Sequence, residues 1–78
     1  MTDFNNKQLD EIHCLNLFDL NNTQAGIKVH HTAKPESIAA MKRLYKKGLV
    51  TNDDGGYLTA LGQEAAEFAQ GLLSILRP

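Results

Sequence analysis

The stretch KKGLVTNDDGGYLTALG, residues 46–62, decides the fold, because it joins two regular elements through a tight reversal of the chain. Leu49-Val50-Thr51 and Tyr57-Leu58-Thr59 are short runs of β-forming residues, and residues 52–56 between them are rich in Asn, Asp and Gly. Asn and Asp tolerate turn conformations, and Gly adopts positive φ without steric cost. The stretch therefore predicts a β-hairpin over about 49–59.

A helix is predicted on the N-terminal side of this hairpin, over about 35–47. Pro35 suits the first turn of a helix, where its missing N–H is not needed, and Gly48 suits the left-handed position just past the end. The apolar residues at helical spacing are Ile38, Met41, Leu44 and Tyr45, and the basic residues beside or opposite them are Lys42, Arg43, Lys46 and Lys47. The pattern predicts an amphipathic helix whose solvent side is positive.

A long helix is predicted after the hairpin, over about 60–76, with Thr59 as its N-cap. One apolar line with spacings of 4, 3, 4 and 3, typical of a heptad stripe, comprises Leu61, Ala65, Phe68, Leu72 and Ile75. A second apolar line next to it comprises Ala66, Ala69, Leu73 and Leu76. One line can therefore pack on the core while the other meets a partner.

A first helix is predicted over residues 5–20. Polar residues lead it, and Asp10 and Glu11 lie early, where the helix dipole favours negative charge. Its apolar residues spread around most of the circumference, which is too broad for one buried stripe. Either the last turn unwinds or a second surface covers the helix.

Residues 21–34 give conflicting signals. A short helix could run from Thr23 to His31, but Gly26 weakens it. Ile27-Lys28-Val29 alternates as a short strand would. The short helix is our expectation for this segment.

Length and composition predict one domain spanning residues 1–78. Single cores of this size rarely supply more than about 3–5 kcal/mol, and the chain has one cysteine and so no disulfide, which favours self-association. The first residues lack the pattern of a signal peptide, and no apolar run approaches the roughly 18 residues of a membrane span. A lone Cys14 fits a reducing compartment, so we expect a cytoplasmic protein without membrane contact.

Charge is segregated along the chain although the net charge is only -1. From Lys28 to Lys47 there are six basic residues and one acidic residue, whereas the remainder holds two basic and eight acidic residues. Such segregation favours a local, oriented attraction to a polyanion. A solvated helix face would give the same run of lysines.

The stretch MKRLYKKGLVTNDDGGYLTALG, residues 41–62, resembles the recognition helix and wing of bacterial winged helix-turn-helix regulators, such as the multiple-antibiotic-resistance repressors. The resemblance implies a mainly α fold with a small β-hairpin, in which 35–47 is the recognition helix and 49–59 the wing. The whole chain is also similar to a small group of uncharacterised bacterial proteins of about this length that are described only as DNA-binding by inference. That similarity is carried by Leu17-Phe18-Asp19-Leu20, Gly26-Ile27-Lys28-Val29-His30, Arg43-Leu44-Tyr45, Lys47-Gly48-Leu49 and Asp54-Gly55-Gly56-Tyr57-Leu58-Thr59.

The resemblance implies a small transcriptional regulator that binds double-stranded DNA. The small core and the apolar lines of the outer helices predict a homodimer through the first and last helices. An α-helix fits the major groove, where Lys and Arg neutralise phosphates. The expected phosphate contacts are Lys28, Lys34, Lys42, Arg43, Lys46 and Lys47, and the expected base-facing residues are Ser37, Glu36, Ala39 and Ala40. The sequence departs from the regulators in its acidic wing, at Asp53 and Asp54.

Other functions have weaker signals. A protein-interaction module on the same scaffold is the main alternative, because the outer helices have surplus apolar surface and the wing is acidic. The soft metal ligands are His13, Cys14, His30 and His31. Neighbouring helix residues point about 100° apart, so His13 and Cys14 are poorly placed to share an ion. No catalytic constellation stands out, so we expect no enzyme activity, metal or cofactor.

Overall fold

The computed structural model describes residues 3–22 and 24–78 and shows a small α+β domain. Its elements, in chain order, are α1 Asn6–Leu15, β1 Ile27–Lys28, α2 Pro35–Lys46, β2 Val50–Asn52, β3 Gly55–Leu58 and α3 Ala60–Leu76. The strands form one antiparallel sheet in the order β1-β3-β2. Helix α1 packs on both α2 and α3, and α2 and α3 also contact the sheet.

Helix α1 is shorter than predicted, because its last turn unwinds after Leu15. It begins at a capping box, in which the Asn5 side chain accepts from Gln8 N and the Gln8 side chain accepts from Asn5 N. After Leu15 the chain continues in tight turns, and Phe18 is buried. The Gln70 amide on α3 donates to the carbonyl of Phe18 at 2.8 Å, which anchors this turn.

The short helix predicted from Thr23 to His31 is wrong for the described part of that segment, which excludes Thr23. Ile27 and Lys28 instead pair with Gly56 and Gly55 of β3. Ile27 and Val29 are half-buried while Lys28 is exposed, which is the alternation of a strand. The strand signal decided the structure because β3 supplies a pairing edge that local helix propensity could not reveal.

The hairpin of β2 and β3 depends on its paired glycines. Gly55 and Gly56 have φ values of 128° and 75°, which disfavour residues with a Cβ. A Cβ on Gly55 would also lie 2.3 Å from the carbonyl oxygen of Ile27. The two glycines therefore follow the turn at 53–54, and the missing Cβ of Gly55 lets β1 lie against β3.

Local signals mark both ends of α2 and the start of α3. Pro35 occupies the first turn of α2, and Gly48 follows it with φ 79°. The Thr59 hydroxyl accepts from Gly62 N at 3.0 Å and donates to the Gly48 carbonyl at 2.6 Å, so it caps α3 and ties it to the end of α2. The buried core consists of Cys14, Leu15, Phe18, Ala40, Met41, Leu44, Val50 and Ala66. Among the described residues, no helix has the length and hydropathy needed to cross a membrane.

Candidate nucleic-acid interface

Helix α2 presents a clear inner side and outer side. Ala40, Met41 and Leu44 are buried against the core. At about 100° per residue, the positions opposite them are Pro35, Ala39, Lys42 and Lys46. All four of these residues are exposed, and we call them the outer face of α2. This face carries two lysines and no acidic residue.

A buried carboxylate on α1 holds two of the basic residues of this region. Glu11 is only 7% exposed. Arg43 Nε lies 3.1 Å from Glu11 Oε2, and Lys47 Nζ donates to Glu11 Oε1. Arg43 Nη2 also donates to the backbone carbonyl of Lys7 at 3.2 Å. The two cations therefore join α2 to α1.

The charge state of Glu11 follows from two opposing effects. Burial raises the pKa of this carboxyl, whereas hydrogen bonds from Lys47 and Arg43 and their positive charges lower it. The net effect holds the pKa of Glu11 below its ordinary value. Glu11 is thus ionised at neutral pH and keeps both cations on the α1 side of α2.

The seven predicted DNA-binding residues fall into three groups. Lys28, Lys34, Lys42 and Lys46 are exposed and make no ion pair within residues 3–22 and 24–78. Arg43 and Lys47 are paired with Glu11. Ser37 is half-buried, and its carbonyl lies 3.7 Å from the Cys14 thiol, which donates to it.

Ala40 does not occupy the base-facing position that the sequence suggested. It is 0% exposed, because it lies on the inner side of α2 with Met41 and Leu44. The sequence pattern had placed Tyr45 on the apolar stripe, yet Tyr45 is 48% exposed. The helix is therefore rotated relative to the predicted stripe, toward Ala40.

The acidic turn of the hairpin lies beside β1. Lys28 is the register partner of Gly55, and the Asp54 carbonyl accepts from Val29 N at 2.7 Å. Asp53 is exposed and Asp54 half-buried next to these strands. Lys28 thus lies on a strand beside an acidic turn. The outer face of α2 has one acidic neighbour in sequence, the exposed Glu36 in the first turn of the helix.

The candidate soft-ligand residues do not form a metal site in the described structure. No group of three or more His, Cys, Asp or Glu side chains that could hold an ion occurs in the described part of the chain. Cys14 is 2% exposed. Burial, with a smaller contribution from the charge of Asp10, raises the pKa of its thiol. Cys14 is thus a neutral core residue.

A second notable surface is a groove between α1 and α3. It is almost wholly apolar, has a volume of about 190 Å³, and is lined by Phe4, Ile12, Leu15, Ala65, Phe68, Ala69 and Leu72. Phe68 is 72% exposed and Phe4 61% exposed. Two large exposed aromatic side chains thus lie at this groove.

A family model matches residues 2–77, nearly the whole chain. The protein belongs to a family of unknown function, DUF5669. No curated protein and no solved structure is detectably similar to it. The family description assigns no function to its members.

Proposed function

We propose that this member of DUF5669 binds double-stranded DNA through the outer face of α2, as a small transcriptional regulator in the cytoplasm. The observation that carries the proposal is the exposure of Lys42 and Lys46 on one face of a helix whose opposite side is fixed in the core. A rigid helix with lysines on its solvent side is suited to neutralising phosphates beside the major groove. A single buried, free Cys14 is compatible with a cytoplasmic location.

The order and pairing of the elements, which are compatible with a winged helix, support this proposal. α2 directly precedes the β2–β3 hairpin, β1 pairs with β3, and α3 closes the domain. In the described residues, a tight turn in which Ala33 N donates to the His30 carbonyl stands between β1 and α2. We propose that this turn replaces the second helix of a helix-turn-helix unit.

The chemistry of the outer face favours affinity over sequence discrimination. Lys34, Lys42 and Lys46 are phosphate ligands in this proposal, whereas Ala39 permits close approach without offering a hydrogen bond to a base. Arg43 and Lys47 orient the helix through Glu11. We therefore expect DNA binding that is sensitive to salt and has a weak sequence preference. For each phosphate contact, the logarithm of the affinity should fall by about 0.9 for each tenfold rise in salt concentration.

The decisive experiment reverses the charge of the outer face. We expect Lys42→Glu/Lys46→Glu to abolish the retardation of duplex DNA at low salt with an unchanged circular dichroism spectrum, because both side chains are exposed and unpaired in the described chain. The single variants Lys46→Glu and Lys7→Glu form a matched pair on different helices. Only Lys46→Glu is expected to weaken binding, by roughly tenfold or more. Retardation by the double variant equal to that of the parent would refute the proposal.

A protein-interaction role is the second candidate, and the apolar groove between α1 and α3 favours it. In that case the parent protein would show no salt-sensitive DNA binding at low ionic strength and would bind a protein partner at fixed stoichiometry. Substitution of Phe68, rather than of Lys46, would then abolish the interaction.

We also propose that a second copy of the chain is the partner of α1 and α3, so that the protein acts as a homodimer. Support comes from the exposure of Phe4 at the groove beside α3, of Leu9 on α1, and of Phe68 and Ile75 on α3. A small domain with this much apolar surface gains stability by covering it.

A further inference from the structure

The heptad stripe of α3 lies on the outside of the domain. Leu61, Phe68, Leu72 and Ile75 are 54%, 72%, 47% and 81% exposed. In the neighbouring line Ala66 is fully buried and Ala69 half-buried, whereas Leu73 and Leu76 are 36% and 69% exposed. Ala65 of the stripe is half-buried against the core, so the domain leaves the four large residues of the stripe uncovered. Exposed large residues at 4-3 spacing are the pattern of a helix that pairs with another helix.

The side chains of the stripe differ in size, which affects how it could pair with another helix. Ala65 is the only small residue in it, and the groove between α1 and α3 opens at this position, flanked by Phe68 and Leu72. Ile75, ten residues further along, is the most exposed large apolar side chain of the described chain. The face thus carries a depression near one end and a projection near the other.

We infer that two copies of the chain pair through α3 in antiparallel orientation, with Ile75 of each copy seated over Ala65 of the other. This inference rests on the self-association part of the proposed function. In antiparallel helix pairs, the two kinds of stripe position face one another. The register that pairs Ile75 with Ala65 also pairs Phe68 with Leu72. Ile75 therefore enters the depression at Ala65 at both ends of the seam, and Phe68 packs on Leu72 between them.

The parallel alternative fits the same surface poorly. It would place Ile75 against Ile75, and Ala65 against Ala65, leaving the groove empty. It would also align the two helix dipoles, whereas the antiparallel pair opposes them favourably.

Charge supports the same register. Arg77 follows the C-terminal end of α3, and Glu64 lies near its N-terminal end. Antiparallel pairing about a crossing point near residue 70 brings Arg77 of one copy beside Glu64 of the other. Gly71 lies beside that crossing point, and a Cβ on it would meet no atom within 4 Å. The absence of a side chain at Gly71 lets the two helices approach closely.

Sedimentation equilibrium of the full chain at about 100 μM tests whether the pair forms. For an interface of one helix face and a groove, we expect a dissociation constant of about 1–10 μM, so the dimer should predominate at this concentration. Ile75→Lys is expected to raise that constant at least about tenfold. Ser74→Lys is the matched control, since it adds the same charge on the adjacent exposed residue away from the stripe. A monomeric parent, or equal effects of both variants, would overturn the inference.

Cysteine pairing tests the orientation. In the proposed register, residue 65 and residue 75 each lie about 15 Å from their own counterparts, too far for a disulfide. We expect an oxidised mixture of Ala65→Cys and Ile75→Cys proteins to form a covalent dimer that neither protein forms alone. The oxidised parent is the control, because it shows any disulfide formation through the buried Cys14. Covalent dimers of Ile75→Cys alone would overturn the antiparallel orientation, and a sedimenting dimer without mixed disulfides would overturn the register. The sedimentation and disulfide results do not depend on DNA binding. The charge-reversal experiment on α2 therefore tests DNA binding independently of the dimer.

Discussion

Arg43 Nε lies 3.1 Å from Oε2 of Glu11, and this ion pair joins the last turn of α2 to α1 across 32 residues of sequence. Lys47 contacts the other carboxylate oxygen of Glu11. Two of the six basic residues between Lys28 and Lys47 are therefore part of the fold. Their pairing fixes the rotation of α2, so that Lys42 and Lys46 point to solvent.

The first prediction concerns the stability that Glu11 provides. Glu11→Ala removes the partner of two cations and leaves a hole beside the core, so we expect the free energy of unfolding to fall by about 1–2 kcal/mol. The partly exposed Arg43 and Lys47 regain water, which limits the loss. Urea unfolding measures it. Glu67→Ala on the exposed side of α3 is the control and should change stability by less than about 0.5 kcal/mol. Equal effects would show that the ion pairs are energetically unimportant.

The second prediction follows from the lowered pKa of Glu11. Burial raises this pKa, but hydrogen bonds and charges from Lys47 and Arg43 lower it further, to below the ordinary value of 4.5. A depressed folded-state pKa contributes stability above the unfolded-state value and loses it as pH falls through the folded-state value. We therefore expect the free energy of unfolding to fall less between about pH 7 and pH 3 for Glu11→Gln than for the parent. Parallel curves for the two proteins would contradict this assignment.

The third prediction separates two glycines of α3. A Cβ on Gly62 would lie 1.8 Å from the carbonyl oxygen of Leu49, whereas a Cβ on Gly71 would meet nothing within 4 Å. Gly62→Ala should destabilise the domain by more than about 2 kcal/mol, because backbone cannot yield to a methyl group. Gly71→Ala should instead stabilise α3 by about 0.5–1 kcal/mol.

Thermal unfolding of both glycine variants in an Ile75→Lys background removes any contribution from self-association. Destabilisation by both substitutions to a similar extent would contradict the contact between Gly62 and Leu49.

Local chemistry made much of the fold predictable from sequence. Pro35, Gly48 and Thr59 mark the ends of α2 and the start of α3 because each acts on its own backbone or its immediate neighbours. Strand β1 was not predictable in this way. This strand depends on Gly55, which is 28 positions from Ile27 in sequence. Because Gly55 has no Cβ, it leaves room for the Ile27 carbonyl.

The candidate site was predictable to a similar degree. The exposure of Lys42 and Lys46 follows from helical spacing, whereas the pairing of Arg43 and Lys47 depends on a carboxylate in another helix. A signal for it was available, since Glu11 lies among the apolar positions of α1 between Leu9 and Ile12. An acidic residue within an apolar stripe indicates a buried partner of opposite charge.

The fourth prediction uses two adjacent lysines to separate a DNA contact from a fold contact. Lys46 is exposed on the outer face of α2, and Lys47 donates to Glu11. In duplex binding measured over a range of salt concentrations, Lys46→Ala should reduce the slope of log affinity against log salt by about 0.9, because one phosphate contact is lost. Lys47→Ala should leave that slope unchanged and lower the free energy of unfolding by up to about 1 kcal/mol. Because both variants lose the same charge at neighbouring positions, a general electrostatic effect would change the two slopes equally. A larger slope change for Lys47→Ala would mean that DNA takes Lys47 away from Glu11, and the outer face of α2 would then be wrongly assigned.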